Sequence, residues 1–394
     1  MHIALIDPSE FTPPYDAALA KGLSAVGHRV AMIGQAGGSL ADDPALEHVG
    51  HFYRPLATPW GRRLSGAAVR TVKGGLHALD LATLPGLLRR LQVDVVHLQW
   101  LPLPLIDGVF VQRLRSVAPV VLTVHDTLPF NGAEPWLMSA GLDRVLHGVD
   151  AIICHTAQGR RHLLQQGVAP HRLHVVPHGL LGTTMETPAA PPGERIRLLQ
   201  LGNIKPYKGV DVLLAALRHL EPRERARLDV HVAGRPYVDT QALEAQRRAN
   251  DLGDCVRFDF DFLTEAMMEL LVARANALVF PYRHIDASGV LMQAVAASKP
   301  VLASKIGVFD ELLQDGKQGL LVPPGDPDAL ASALRQLVAA PERLLEMSRR
   351  MGALRDGLPG WPEIGRQTAR IYAAAHAAWS TEAATRPRAV QETS

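Results

Sequence analysis

The sequence predicts an α/β protein in which two doubly wound domains, each with a parallel sheet, follow one another along the chain. Short apolar runs rich in β-branched residues alternate with stretches of helical spacing, which is the pattern of βαβ units with buried parallel strands. Six such runs precede residue 180 and six follow residue 195. The segment from Leu180 to Glu194 is rich in Pro, Gly and Thr, as a linker between domains is.

The twelve runs give the predicted strands in chain order. They lie at 2–6, 29–33, 94–98, 119–124, 151–154 and 173–176, then at 196–201, 229–233, 255–258, 277–280, 300–304 and 319–322. We therefore expect Rossmann-like domains at 1–184 and 185–360, an amphipathic helix at 361–379 that packs back on the first domain, and a disordered tail at 380–394. Ligands of such sheets bind beyond the carboxyl ends of the strands, which places the site in the cleft between the domains.

Composition excludes several classes of protein. The 394 residues carry 41 Lys+Arg against 39 Asp+Glu and are 47% hydrophobic, which fits neither a disordered chain nor a general polyanion binder. Cys154 and Cys255 give neither a disulfide framework nor a zinc spacing. No stretch reaches the ~18 apolar residues of a membrane span, and Asp7 interrupts the first apolar run too early for a signal peptide. We expect a cytoplasmic protein that meets the inner membrane only peripherally.

The segment from Leu199 to Leu217 predicts an anion site. Its strand ends at Gly202, its loop carries Lys205 and Lys208, and a helix with an apolar face follows Gly209. Two ammonium groups beside a helix N-terminus suit a diphosphate. A solvated loop with two ordinary surface lysines is the alternative.

A second loop and helix in the same half repeat this pattern. Asp286 lies in the loop, the N–H groups of Ser288, Gly289 and Val290 open the helix, and Gln293 lies one turn into it. These N–H groups would form another anion site, and the Gln293 amide would meet a ribose hydroxyl. A Ser N-cap with a Gly turn is the structural alternative.

These motifs resemble the GT-B glycosyltransferases, specifically the retaining glycosyltransferase family 4. The resemblance covers most of the chain and is strongest from about 198 to 330. It is carried by three blocks of sequence: Gly202, Lys205, Lys208 and Gly209; Ser288 to Pro300 and Val301; and Glu311, Gly316 and the stretch 319–330.

The family resemblance implies roles for these residues. Lys208 and Lys205 would neutralise the diphosphate of a nucleoside-diphosphate sugar, and the amides of the 288–290 turn would bind its remaining oxygens. Fixed positive charge there would stabilise the leaving group, so Lys208 counts as catalytic. Arg235 and the segment 262–264 would lie near the base. The resemblance implies no metal cofactor, and we interpret the carboxylate pair Asp259 and Asp261 as chance.

The chain also departs from the family pattern. Asn203 stands where the family usually has Arg, and Lys205 is expected to supply that charge. The family's two glutamates, eight positions apart, are replaced by Ile285 and Gln293. Asp286 is expected to replace the first toward the donor sugar, and Gln293 the second on the ribose. These departures leave the sugar specificity open and are compatible with reduced or lost activity.

His125 and Asp126 follow a strand of the first half, at the cleft. Adjacent strand residues face opposite ways, so a structural His and Asp is the interpretation from the residues alone. Family members often have a histidine at this strand end, which implies that His125 is catalytic and orients the donor sugar. The leaving phosphate would then take the acceptor proton.

Acceptor contacts are expected in the first half, at Asp126 and on the loop after the first strand. In that loop Asp7, Glu10 and Tyr15 are the candidates, and a helix start with Asp16 as its first-turn acid is the alternative.

Residues 51–75 combine basic and aromatic side chains without an acid. They are Arg54, Arg62, Arg63, Arg70 and Lys73, interleaved with Phe52, Tyr53 and Trp60. The combination suits anionic headgroups or a polyprenyl-diphosphate acceptor, and an ordinary surface loop is the alternative. The balanced charge and the lack of a recognition motif speak against nucleic acid.

The sequence thus predicts a retaining glycosyltransferase that acts on a glycan or glycolipid in bacterial polysaccharide, lipopolysaccharide or glycolipid synthesis. Two alternatives stay open: a catalytically silent GT-B partner subunit, and another GT-B enzyme such as a nucleotide-sugar epimerase.

Overall fold

The computed structural model describes residues 1–59, 66–127, 141–184 and 193–385. Within them the chain forms two parallel sheets flanked by helices, which confirms the predicted fold class. The first sheet has seven strands in the order β3-β2-β1-β4-β5-β6-β7, and the second has six in the order β10-β9-β8-β11-β12-β13. In each sheet the order reverses beside the strand that comes first in the chain, β1 or β8, as in a doubly wound sheet.

The first domain contains seven strands and five described α-helices. The strands are β1 His2–Ile6, β2 Arg29–Gln35, β3 Glu47–Phe52, β4 Val95–Leu98, β5 Val120–Val124, β6 Ala151–Cys154 and β7 Leu173–Val175. The helices are α1 Pro13–Ala25, α2 Gly66–Leu91, α3 Pro104–Arg115, α4 Leu142–Gly148 and α5 Ala157–Gln165. Central strands such as β1 and β4 are buried on both faces, because helices cover both sides of a parallel sheet.

The second domain repeats the arrangement. Its strands are β8 Ile196–Leu201, β9 Leu228–Ala233, β10 Val256–Asp259, β11 Ala277–Phe280, β12 Val301–Ser304 and β13 Gly319–Val322. The helices are α6 Val210–Arg218, α7 Pro222–Arg225, α8 Thr240–Ala249, α9 Glu265–Arg274, α10 Gly289–Ala296, α11 Gly307–Leu312, α12 Pro327–Ala339, α13 Arg343–Gly357 and α14 Trp361–Thr385.

Strand β3 was not predicted, and it alters the interpretation of the basic and aromatic segment. His51 and Phe52 are the last residues of β3, and α2 begins at Gly66. The alternative of a surface loop is therefore wrong for residues 51–52 and 66–75. His51, Phe52 and Tyr53 are buried. Trp60, Arg62, Arg63 and the side chain of Arg70 lie outside what the structure describes.

The last helix returns to the first domain. Helix α14 packs along α1, where Gly22 and Gly365 meet so closely that a Cβ built on Gly365 would lie 2.6 Å from the Gly22 carbonyl oxygen. The Tyr372 hydroxyl lies 2.5 Å from His97 Nδ1 on β4. Helix α14 continues to Thr385, so the prediction of a disordered tail from 380 is wrong for residues 380–385; residues 386–394 are not described.

Polar contacts join the two domains. The N-terminus of α5 donates two backbone N–H groups to the Glu311 carboxylate, from Ala157 at 2.8 Å and Gln158 at 2.7 Å. The Gly307 N–H donates to the Gln158 side-chain oxygen at 3.1 Å. Of the helices that the structure describes, none is long and apolar enough to cross a membrane.

Candidate functional site

The topology brings four loops to one cleft. In each sheet the strand order reverses between two central strands, β1 and β4 in the first domain and β8 and β11 in the second. Loops at such switch points form the ligand crevice of doubly wound sheets. The loops after β8 and β11 carry the predicted anion sites, and those after β1 and β4 belong to the domain in which the acceptor contacts are predicted.

Glycines allow Lys208 to approach the end of β8. Gly202 has a φ of +95°, and a Cβ there would lie 3.0 Å from the Lys208 ammonium. A Cβ on Gly234, where φ is +141°, would lie 2.4 Å from the Gly202 carbonyl oxygen. Lys208 Nζ donates to the Leu201 carbonyl at 3.3 Å, so the ammonium is held at the carboxyl end of the strand.

Lys205, Lys208 and Asp126 lie close enough together for their charges to interact. Burial, with a smaller contribution from Lys205, lowers the pKa of Lys208 to about 7, while Asp126 of the other domain opposes the change. Burial also lowers the pKa of Lys205, again opposed by Asp126. An anion between the two lysines would restore the charged form of Lys208, because it would replace the lost hydration.

Two predicted donor residues lie further out on the same edge. Asn203 is exposed and makes no side-chain hydrogen bond in the described structure. Arg235 is exposed, with its guanidinium 5.5 Å from the centre of the Tyr237 ring. Lys205 Nζ lies 5.7 Å from the same ring. Tyr237, which the sequence analysis missed, is thus flanked by two cations.

Helix α10 begins beside this loop. The Ser288 hydroxyl caps the helix by accepting the Leu291 N–H at 3.2 Å, and Gly289 is its first residue. A Cβ on Gly202 would lie 3.3 Å from Val290 Cγ2. The structure therefore brings Gly202, Lys208 and the N-terminal turn of α10 together, as predicted.

Asp286 binds the other domain. Its Oδ2 accepts the Thr127 N–H at 2.6 Å and the Thr127 hydroxyl at 2.5 Å. Its Oδ1 is buried and has no hydrogen-bond partner in the described structure. Ile285, the residue at the family's glutamate position, is buried in the second domain's core.

Gln293 presents a second unpartnered oxygen. Its Oε1 is buried without a hydrogen bond in the described residues. The side chain lines a cavity of about 400 Å³ together with Thr183 and Glu269, which are hydrogen-bonded to each other at 2.9 Å. A buried acceptor oxygen without a partner, on a side chain that lines a cavity, is a candidate for a hydroxyl donor of a ligand.

His125 lies on the opposite wall in a neutral state. Its ring stacks on Trp100, with centroids 5.1 Å apart and planes 10° apart. Burial, with the nearby histidines His155, His178 and His97, lowers its pKa well below the usual value. At neutral pH His125 is therefore an uncharged hydrogen-bonding group.

A neighbouring backbone carbonyl fixes the direction of hydrogen bonding. His155 Nδ1 lies 2.9 Å from the Val176 carbonyl oxygen, which can only accept, so this nitrogen carries the proton. His155 Nε2 then accepts from His125 Nδ1 at 3.2 Å. This leaves a lone pair on His125 Nε2, 3.2 Å from the Gln99 amide, whose oxygen and nitrogen positions are interchangeable by rotation.

Asp126 lies close enough to Lys205 and Lys208 for their charges to affect its pKa. Burial, followed by the charge of Asp286, raises the pKa of this carboxyl to about 7, while Lys205 and Lys208 lower it. The ionisation of Asp126 therefore depends on the two lysines of the loop after β8. Its role as an acceptor contact stays a prediction.

The predicted acceptor contacts of the first loop are engaged within the first domain. Asp7 accepts three backbone N–H groups of its own loop, from residues 9, 11 and 12. Glu10 has a φ of +49° and is bound by Ser39, Leu40 and His48. Tyr15 is 2% exposed and packs edge-on against His125, with ring centroids 4.9 Å apart. Direct acceptor contacts by these residues stay predictions.

Sequence reasoning missed Gln99, Trp100, Thr127 and His155. All four follow strand ends, after β4, β5 and β6, which is the signal that selected His125. Among the described residues, no three His, Cys, Asp or Glu side chains converge as a metal-holding group. Metal independence stays a prediction.

Two family models match the chain, one for each domain. Residues 17–180 match the model described as Glycosyltransferase Family 4, and residues 195–340 match that of Glycosyl transferases group 1.

The curated relatives include D-inositol 3-phosphate glycosyltransferases. The protein from Frankia alni is 32% identical over 284 residues, which are 66% of this chain and 69% of that protein. The protein from Geodermatophilus obscurus is 31% identical over 60% of this chain, and the chain spans 58% of that relative's length.

Solved glycosyltransferase structures share the fold. Anabaena HepE in complex with UDP and glucose has a TM-score of 0.73 at 15% identity, covering 95% of this chain and 100% of that one. Sucrose-phosphate synthase from Thermosynechococcus elongatus has a TM-score of 0.72 at 20% identity, covering 96% and 100%. The two sheets are therefore the two domains of the GT-B fold.

Proposed function

The chain belongs to glycosyltransferase family 4, and from that membership we propose that it is a retaining enzyme that transfers a sugar from a nucleoside-diphosphate sugar to a glycan or glycolipid acceptor. The observation that carries the proposal is the meeting of the Lys208 ammonium, the Gly202 turn and the first turn of α10 at one point of the cleft. A buried cation beside a helix N-terminus is suited to a diphosphate.

The donor loop would act on the leaving group. Negative charge grows on the diphosphate as the sugar bond breaks, and Lys208, Lys205 and the amides of Ser288, Gly289 and Val290 are placed to stabilise it. Asp286 Oδ1 and Gln293 Oε1, which make no hydrogen bond in the described structure, would accept hydroxyl groups of the donor sugar and the ribose respectively.

The neutral state of His125 is compatible with substitution with retention. His125 is neutral and buried, so it is suited to orient the donor sugar by hydrogen bonding rather than to remove a proton at neutral pH. In the proposed reaction the leaving phosphate takes the acceptor's proton on the same face of the sugar. No metal is required for this step.

The comparisons suggest which substrates to test first. HepE was crystallised with UDP and with UDP-glucose, which favours a uridine diphosphate sugar as donor. The curated relatives are named for a phosphorylated acceptor, D-inositol 3-phosphate. Bacterial polysaccharide, lipopolysaccharide or glycolipid synthesis is the proposed setting. Contact to the cytoplasmic face of the membrane is proposed through exposed basic residues of 51–75 such as Arg54 and not through Phe52 and Tyr53, which are buried.

Isothermal titration of the full chain with UDP, GDP, TDP and ADP tests the donor site. Binding of at least one nucleotide is expected; if none binds, the silent partner subunit replaces our proposal. A donor screen that measures nucleotide release, with polyprenyl-linked and free acceptors, then identifies the substrates. Product anomers determined by NMR test retention, and equal turnover with EDTA tests metal independence.

A further inference from the structure

Both ring nitrogens of His125 have hydrogen-bond partners from neighbouring strand ends. Nδ1 lies 3.2 Å from His155 Nε2, which follows β6, and Nε2 lies 3.2 Å from the side-chain amide of Gln99, which follows β4. All three side chains are buried. The proposed function requires His125 to offer a hydrogen-bonding atom to the donor sugar, so these two partners determine which atom is offered.

The direction of the bonds is set by the main chain. His155 Nδ1 donates to the Val176 carbonyl at 2.9 Å, because a carbonyl cannot donate. Val176 is itself held by the sheet, since its N–H donates to the Cys154 carbonyl at 3.0 Å. Burial lowers the pKa of His155 to about 4, while the bond to Val176 opposes the change. At neutral pH His155 Nε2 is therefore without a proton and can only accept.

His125 must then donate from Nδ1 and accept at Nε2. With the opposite tautomer, two lone pairs would face each other across the 3.2 Å between His125 and His155. The Gln99 amide is consequently turned with its NH₂ toward His125 Nε2, because its oxygen would meet a lone pair there. The other end of the amide lies 3.2 and 3.3 Å from the two ring nitrogens of His97.

The same network reaches the end of the chain. His97 Nδ1 lies 2.5 Å from the Tyr372 hydroxyl on α14, and His97 Nε2 lies 2.8 Å from the Thr123 hydroxyl on β5. His97 is thus bonded at both ring nitrogens and gives Gln99 a fixed neighbour on the side away from His125. The returning helix therefore supports the wall of the cleft that contains His125.

We propose that His155 and Gln99 are positioning residues for His125. His155 fixes its tautomer, with the proton on Nδ1 and a lone pair on Nε2, and Gln99 donates to that lone pair until a hydroxyl of the donor sugar replaces the amide. The exchange replaces one donor by another, so no buried lone pair is left unpaired. This inference rests on the proposed function, since it concerns how the donor sugar meets His125.

Nuclear magnetic resonance of the full chain measures the tautomer. In protein labelled with nitrogen-15 histidine, correlations between ring protons and ring nitrogens distinguish a nitrogen that carries a proton from one that does not. The His125→Gln variant identifies the His125 signals. We expect a protonated Nδ1 and a bare Nε2 in the protein without nucleotide at neutral pH. A protonated Nε2 in the parent overturns the inference.

His155→Asn tests the acceptor for His125 Nδ1. Asparagine can still reach the Val176 carbonyl with its amide, but it has no atom at the place of Nε2. We expect kcat to fall about tenfold or more while calorimetric nucleotide affinity is unchanged, and His125 to show a mixture of tautomers. His155→Gln returns an amide to the place of Nε2 and is expected to recover part of the loss.

His178→Asn is the matched control. The His178 ring lies in the same cluster, with its centre 5.3 Å from that of His155, and its Nδ1 lies 2.7 Å from the Gly179 carbonyl. In the described structure it makes no hydrogen bond to His125. We expect parental kcat in His178→Asn. An equal loss in the two asparagine variants would show an effect of packing and would overturn the inference.

Gln99→Glu tests the other nitrogen. It keeps the shape of the side chain and removes the N–H donors, so a proton should appear on His125 Nε2. We expect kcat to fall about tenfold or more, with the nucleotide affinity of the parent. Parental kcat in either His155→Asn or Gln99→Glu overturns the inference. If the parent shows a bare Nε2 but transfers no sugar, the proposed function fails instead.

Discussion

The Asp286 carboxylate of the second domain accepts both the N–H and the hydroxyl of Thr127 in the first. Asp286 follows the position at which the family has a glutamate that contacts the donor sugar. The same carboxylate therefore joins the domains, and its other oxygen is buried without a hydrogen bond in the described structure, 3.8 Å from His162 Nδ1. If Asp286 contacts the donor sugar as proposed, one side chain serves both the contact between the domains and recognition of that sugar.

Thr127→Val is expected to loosen this connection. It keeps the side-chain shape and the N–H but removes one of two donors to a buried carboxylate, which costs about 1–3 kcal/mol. We expect kcat/KM for the donor sugar to fall roughly tenfold or more, with smaller changes in free nucleotide affinity. Thr127→Ser keeps the hydroxyl and serves as the control. Parental kinetics in Thr127→Val would show that the contact does not matter for turnover.

Lys208→Ala is expected to weaken nucleoside-diphosphate binding about 10- to 100-fold, the value of a lost charge-assisted hydrogen bond. The measurement is calorimetric titration with the nucleotide diphosphate, and the corresponding nucleoside is the control ligand. Lys317→Ala, at an exposed surface lysine, is the control variant. If diphosphate affinity is unchanged in Lys208→Ala, our placement of the diphosphate is wrong.

Donor affinity is expected to decrease as pH rises through about 7. The pKa of Lys208 is lowered to about 7, so above that pH the free protein must take up a proton to present an ammonium. The pKa of Asp126 is raised to about 7, so over the same range this carboxyl ionises and repels the diphosphate. Loss of the Lys208 proton and ionisation of Asp126 therefore both lower donor affinity as the pH rises.

Titrations with a nucleotide sugar between pH 6 and 8, in buffers of different ionisation enthalpy, measure this proton uptake. Asp126→Asn removes one of the two ionisations, so it should bind more tightly than the parent above pH 7 and flatten the profile. An affinity that rises with pH would contradict the assignment of both groups.

His125→Gln is expected to lower kcat on the order of 100-fold with little change in nucleotide affinity, because in the proposed mechanism the side chain orients the sugar during reaction. Since burial keeps His125 neutral, the parent should show no loss of kcat near pH 6.5 from protonation of this ring. Thermal melting provides the control for folding, because His125 packs against Tyr15 and Trp100. A variant with normal turnover would remove His125 from the mechanism.

Gly365→Ala is expected to destabilise the chain by about 1–3 kcal/mol, the usual cost of overpacking. Its Cβ would lie 2.6 Å from the Gly22 carbonyl oxygen, so α14 would be pushed away from α1. Gly86→Ala is the control, because this helical glycine has nothing within 4 Å of an added Cβ. That change should raise stability by about 0.5–1 kcal/mol. Thermal and urea unfolding distinguish the two outcomes.

The strands were largely predictable from the sequence, and one exception shows why. The run from His2 to Ile6 became β1 with the same bounds, since buried parallel strands are continuously apolar. Strand β3, Glu47–Phe52, was missed because an edge strand is partly solvated and its sequence alternates Glu, His and Gly with apolar residues. Without β3, an ordinary surface loop stayed open as the alternative for the basic and aromatic segment, and the burial of Phe52 and Tyr53 was not foreseen.

Residues at strand ends were predictable, but the directions of their side chains were not. His125 and Lys208 follow apolar runs, and the structure places both at the cleft. The orientation of Glu10 depends on Ser39 and His48, which lie about thirty and forty residues further on, so no local pattern encodes it. The contact between Asp286 and Thr127 joins two domains, so it depends on their relative placement.

The return of α14 to the first domain affects the order of assembly during synthesis. Ile364, Ile371 and Tyr372 share a buried cluster with Ile3 and Leu5 of β1 and with residues of α1, so one side of the first sheet receives part of its cover from the end of the chain. At ~5–20 residues per second, a ribosome needs roughly 9–36 s to proceed from residue 184 to residue 364. Throughout that interval the part of this apolar face that α14 covers is without its cover. The domain that is translated first is therefore the last to be completed.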